Sequence, residues 1–401
     1  MSFRRKTRYS VKGLLLLLVI FLVGLIGLGC IQGLQPVGWS GGAVSGNTLF
    51  VGSLEGRLVA VNTVDTSRQW SDELKAEVKS GGFNLGCTLG GGGGAKVAIY
   101  GTPVVAGDLV YLGGYNGKVY AFNADSLGVR WVYPPDDYLR DKEKKVVPII
   151  GGLATDLEKV YFGGSDGKVY ALDATTGEEK WKFVTEDEDT IWSTPAVKDG
   201  TLYIGSFDKK LYAIDTETGK EKWRGPFKTE GVIVSTPVVY NNTVYFGSFD
   251  RHLYAVDIVN GKEIWKFPAT DEAENNPGNW FWTKPVVYKD AVYAGNLDGE
   301  VYVLQADSGN KIAEFDLGSP VSSAPVMVAD SIIFASRKGA VYNLDTRSNQ
   351  IKQIADIEDE VYGPLAQSEG VIYIHTPNLV LHRINADTGA ILMSISLKST
   401  E

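Results

Sequence analysis

The chain has 401 residues, 44% of them hydrophobic and 11% aromatic, with 47 glycines and a formal charge of −9. Apolar and aromatic content on this scale excludes a disordered chain, a collagen and a small disulfide scaffold. Of the 39 basic residues five precede Cys30 and no acidic residue does, so the remainder carries 34 against 48, a balance of −14; a surface of that sign lacks the clustered Lys and Arg that phosphate backbones require, which excludes a nucleic-acid reader.

The N-terminus reads as an address. Arg4, Arg5, Lys6, Arg8 and Lys12 precede an uncharged apolar run of 19 residues, Gly13 to Ile31, long enough to cross a hydrocarbon core as a helix. Basic residues ahead of such a run hold that end in the cytoplasm, so the rest of the chain is expected on the extracytoplasmic face of a membrane. The run closes on Gly27-Leu28-Gly29-Cys30, which resembles the lipobox of bacterial lipoproteins, although Gly27 stands where that pattern usually has Leu. The resemblance implies a lipid anchor at Cys30; an uncleaved signal anchor is the alternative. Cys87 is the only other thiol, so a lipidated Cys30 leaves no intramolecular disulfide. Residues 1–30 are therefore taken as signal or anchor and 31–38 as a linker.

From residue 39 to 397 the sequence repeats, leaving 398–401 as a tail. The doublets at Phe50-Val51, Tyr111-Leu112, Tyr161-Phe162, Tyr203-Ile204 and Tyr245-Phe246 are each followed, 20 residues after the first aromatic, by a tryptophan: Trp70, Trp131, Trp181, Trp223 and Trp265. Three weaker copies start at Tyr293, Ile333 and Tyr373, with Ala313, Gln353 and Met393 at the tryptophan position. Within a copy, short β-branched and aromatic runs are separated by turn signals such as Asn116-Gly117, Asp166-Gly167 and Asp298-Gly299, which predicts four strands joined by hairpins. Runs such as Lys168 to Leu172 are apolar nearly throughout, so both faces of each sheet should be covered. Eight copies of four strands predict an all-β, eight-bladed β-propeller of four-stranded blades. No helical periodicity is evident after residue 40.

The segments Ala171 to Trp181 and Ala213 to Trp223, each with an Asp-x-x-x-Gly turn and a closing tryptophan, resemble the PQQ-type propeller repeat, found in quinoprotein alcohol dehydrogenases and in BamB, the lipoprotein of the outer-membrane β-barrel assembly machinery. The five tryptophans are read as structural, a buried indole contributing about 2–3 kcal/mol between blades. The dehydrogenase side of the resemblance would imply PQQ with calcium and an Asp base. The chain is much shorter than those enzymes and has neither adjacent cysteines nor a Cys-x-x-Cys-His haem attachment, and no position matches a calcium ligand or base. No catalytic residue, metal site or cofactor is therefore assigned. His252, His375 and His382 have no metal-ligand spacing and read as turn or strand residues. The run Gly90 to Gly94 is not followed by the Lys-Ser/Thr of a phosphate loop and reads as a flexible insertion.

The copies differ in the connections between them: 71–98, 133–148, 184–191 and 267–282 are expanded. In a propeller these connections share a face with the turns joining second and third strands. That face is expected to carry Tyr133 and Tyr138, the acidic run Glu186, Asp187, Glu188 and Asp189, and the aromatic run Trp280, Phe281 and Trp282, with Trp280 exposed. Loop aromatics beside acidic residues suit recognition, although Trp282 and the matching Trp192 would equally serve as plugs of the channel, and the acidic run reads as a solvated loop in preference to a calcium site. The expectation is a monomeric, membrane-tethered scaffold whose partners are envelope or membrane proteins. A PQQ-dependent dehydrogenase is the alternative, and a propeller binding cell-wall glycans the third reading.

Overall fold

A computed structural model describes residues 38–74, 96–135, 147–270 and 277–399. Its strands form eight four-stranded antiparallel sheets, each made from consecutive strands. The blades span 42–70, 104–133, 154–184, 196–228, 238–267, 286–316, 326–356 and 366–396. The described residues contain no helix, and so none long and apolar enough to cross a membrane. First strands lie innermost, beside the first strands of adjoining blades from blade 1 to blade 6 and from blade 7 to blade 8, and blade 8 meets blade 1 the same way. No sheet borrows a strand from the other end of the chain.

The register explains the spacing of 20. In blade 3, Ala154, Tyr161, Ala171 and Trp181 stand opposite one another across four strands. The small third-strand residue leaves room for the two rings, whose centroids are 5.7 Å apart. A bulge after Ala171 shifts the outer strand by one residue and strengthens its twist. The Trp181 indole then reaches the next blade, donating to the Thr216 carbonyl at 2.9 Å. Trp131, Trp223 and Trp265 donate likewise to Ala174, Ile258 and Ala306 at 3.0, 3.0 and 2.9 Å.

Each acceptor lies in a turn that the sequence builds locally. Asp215 accepts the backbone N–H of Thr218 at 2.9 Å, and Gly219 closes the turn at φ +68°. A Cβ on Gly219 would lie 2.7 Å from the Trp181 ring. Glycine is thus required twice, by conformation and by the indole lying flat against it. Blade 7 departs from the expected pattern. The bulge lies two positions earlier, between Val341 and Tyr342, so Ile354, and not Gln353, meets the turn glycine Gly389 of blade 8.

A second device locks the inner ends of the blades. The second strand of blade 4 ends at Gly205, where a Cβ would lie 2.2 Å from Ile233. Ile99, Ile149, Ile191, Phe281 and Val321 cover Gly52, Gly113, Gly163, Gly247 and Gly295 in the same way. Each covering residue belongs to the segment leading into the next blade, and its side chain fills the space a Cβ would need, which explains the recurring glycine after each aromatic doublet. The core is a series of inter-blade clusters, such as Tyr203, Leu211, Trp223, Ile233 and Phe246 between blades 4 and 5.

Candidate interaction face

The segment leading into each blade is stitched to the turn between that blade's second and third strands. The backbone N–H groups of Tyr115, Phe207, Phe249 and Leu297 donate to the carbonyls of Ala98, Thr190, Val232 and Trp280 at 3.0, 2.9, 3.0 and 3.1 Å. Inter-blade connections and second turns therefore share one face around the mouth of the channel.

The acidic run lies on this face, with Glu186, Asp187, Glu188 and Asp189 exposed. It is anchored from beneath by Lys210, whose ammonium lies 2.9 Å from Glu186, 2.5 Å from Asp187 and 4.0 Å from Asp208. Burial works against that charge, but the three carboxylates outweigh it and hold the ammonium above the ordinary lysine value. Burial in turn pushes Asp208 upward, and its carboxylate accepts the Tyr212 hydroxyl at 2.5 Å. Part of the acidic charge is thus neutralised internally. Among the described residues no group of three His, Cys, Asp or Glu is placed to hold a metal.

The aromatic run differs from its expected exposure. Trp280 is 8% exposed and lies parallel to Phe249 with ring centroids 4.1 Å apart; Phe281 is 1% exposed. The reason is register. Phe281 stands five residues before its blade's first strand, as Ile99, Ile149, Ile191 and Ile233 do before theirs. It is the covering residue of Gly247 and lies in the core beside Tyr302. Trp282 is half-buried with its ring 5.4 Å from Phe249, and Trp192 holds the equivalent place against Phe207 at 4.6 Å.

Tyr133 is half-buried at the end of blade 2, its hydroxyl donating to Glu179 and its ring beside Phe162. Tyr138 and Cys30 lie outside the described residues. Of the repeat tryptophans, Trp223 and Trp265 are buried, and Trp70, Trp131 and Trp181 are half-buried.

Sequence reasoning missed an aromatic group at the seam between blades 8, 1 and 2. The Trp39 ring is 4.7 Å from Tyr100 and 6.0 Å from Tyr362. The Arg337 guanidinium lies over Tyr362 at 4.6 Å and donates to its hydroxyl. Burial pushes the Tyr100 phenol up to about 12, with Tyr115 adding to the effect. The signal was present, since Trp39 and Tyr100 directly precede a Ser or Gly two or three residues before the inner strand, as Trp192 does.

The wall of the channel bears on the quinone reading. The eight innermost strands contain no Asp or Glu. A carboxylate for a calcium ion or for proton abstraction would therefore have to come from the connections and turns at the mouth of the channel and not from its wall.

Comparison with known proteins completes the description. The family model described as outer membrane protein assembly factor BamB matches residues 31–191 and 165–394. The fold is similar to BamB from Moraxella catarrhalis, with 20% identity and a TM-score of 0.65 over 85% of this chain and 92% of that one. A computationally designed protein, Ika8, superposes with a TM-score of 0.67 at 15% identity, covering 85% of this chain and 94% of its own. Quinohemoprotein alcohol dehydrogenase ADHIIG from Pseudomonas putida HK5 gives 0.59 at 15% identity over 75% of this chain and 66% of that one. No curated protein sequence matches the chain.

Proposed function

Since the chain belongs to the family of the outer membrane protein assembly factor BamB, we propose that it is a membrane-tethered, extracytoplasmic scaffold that binds envelope proteins during their assembly and carries out no chemistry of its own. The observation that carries this reading is the reach of the family match, which extends into all eight blades. Two further features support it. The expanded connections gather on one face, where the exposed acidic run offers charge for partner selection and association rate. The basic head and uncharged run before Cys30 suit a tether, whether Cys30 is lipidated or the segment stays uncut.

The test is in-cell crosslinking and affinity purification of the full-length chain beside the double variant Glu188→Arg, Asp189→Arg, which reverses exposed charge and leaves the Lys210 anchor in place. A specific envelope protein recovered with the parent and depleted about tenfold with the variant is the expected result. Recovery of no specific partner, or saturable uptake of PQQ with calcium accompanied by dye reduction, overturns the reading.

A further inference from the structure

One cation at the inner ends of the blades has no ion pair among the described residues. Lys284 sits in the segment Trp282-Thr283-Lys284-Pro285, equivalent to Trp192-Ser193-Thr194-Pro195 of blade 4. The equivalent residues form a ring at the inner ends of the blades. A Cβ on Gly41 would touch Thr102, and the Gly152 N–H donates to the Thr194 hydroxyl at 2.7 Å. Serine bridges carry the ring forward, from Ser193 to the Ser235 carbonyl and from Ser235 to the Thr283 carbonyl, each at 2.9 Å. Lys284 thereby follows Thr236 and precedes Ala324 in the ring.

Its neighbours there are small and neutral. Among the described residues Lys284 has no ion pair or hydrogen bond, although its side chain reaches water. The protein surrounding the inner ends of the blades pushes its ammonium below the ordinary lysine value, although the side chain stays exposed to water. The innermost strands supply no carboxylate to compensate it.

We propose that the mouth of the channel binds a small oxyanion, held by the Lys284 ammonium with Thr236 as its neighbour in the ring. A single ammonium between low-dielectric walls concentrates its field along the channel axis. A carboxylate or phosphate that reaches it gains a charge-assisted hydrogen bond. The ring residues on either side are too small to block the approach. The surface outside is acidic, so the site selects compact anions able to enter the channel over extended polyanions lying across it.

The test uses the full-length chain in detergent, with citrate and inorganic phosphate as separate probes in isothermal titration. Saturable heat with at least one probe is expected, citrate alone marking a carboxylate site and phosphate alone a phosphate site. Lys284→Met should weaken that binding at least roughly tenfold, and Lys284→Arg should retain it. A second readout needs no variant: reductive methylation of the parent, followed by mass spectrometry, should show Lys284 protected by the bound anion while surface lysines react unchanged. Absence of saturable heat with both probes, or binding undiminished in Lys284→Met, overturns the proposal.

Discussion

Two constraints coincide at Gly219, a left-handed backbone and a tryptophan ring 2.7 Å from where a Cβ would be. Gly370, at φ +77°, has the first constraint without the second, since nothing lies within 4 Å. Gly370→Ala should therefore cost about 1 kcal/mol through conformation alone. Gly219→Ala should cost roughly 2–4 kcal/mol, because the indole must move as well. Urea unfolding of both variants checks the difference, and equal losses would show that the indole contact contributes nothing. The turn and its tryptophan were legible in the sequence, because Asp215, Gly219 and Trp181 act through short-range geometry that recurs at fixed spacing. The burial of Trp280 and Phe281 was not, because their composition suggests a surface loop. Only alignment with Ile191 and Ile233 reveals that one of them covers a glycine.

Among elements, the third and fourth strands of a blade share one volume and one hydrogen-bonding duty. Blade 3 fills that volume with Ala171 and Trp181; blade 6 uses Val303 and Ala313, and blade 8 uses Arg383 and Met393. As the outer residue shrinks, the middle one grows. The duty of donating to the next blade's turn moves inward too. Asn343 donates to the Ala386 carbonyl at 3.2 Å, and Arg383 donates to the Thr63 carbonyl at 2.8 Å. Two of the three copies that looked weak, blades 7 and 8, thus make the same joint from different residues, whereas Val303 and Ala313 of blade 6 have no side-chain donor. Sequence spacing could not show this, since Arg383 and Thr63 lie at opposite ends of the chain and only ring closure brings them together. Arg383→Met should leave that carbonyl without its donor and lower stability by about 1–3 kcal/mol, read as a shift in urea midpoint. A shift below 0.3 kcal/mol would show that the bond is dispensable.

For the molecule as a whole, the seam between blades 8 and 1 is sensitive to acid. His375 is buried, and its Nδ1 lies 3.0 Å from the Ser40 carbonyl. Burial pushes the imidazole below its ordinary value, and the hydrogen bond to the Ser40 carbonyl and the charge of Asp359 only partly oppose this. His382 on the neighbouring strand is lowered by the same cause, with the same opposition from Asp359. Both groups have folded values below their unfolded ones, so the unfolded chain takes up protons first. Their contribution to stability is complete above about pH 6.5 and is lost as pH falls from there toward the folded values. The urea midpoint should drop between pH 7.5 and 5.5, and His375→Gln should flatten the drop; an unchanged pH slope in that variant would remove His375 from the account. The eight-bladed ring itself was readable from sequence because every blade is a local meander, whereas the character of the binding face depends on long connections whose packing no repeat dictates. The contiguity of each blade also separates the order of the chain from the order of the ring. Because no sheet needs strands from both termini, a blade could be gained, lost or moved to the other end of the gene without unpairing a single sheet, and the joints between neighbours would be the only parts that had to be refitted.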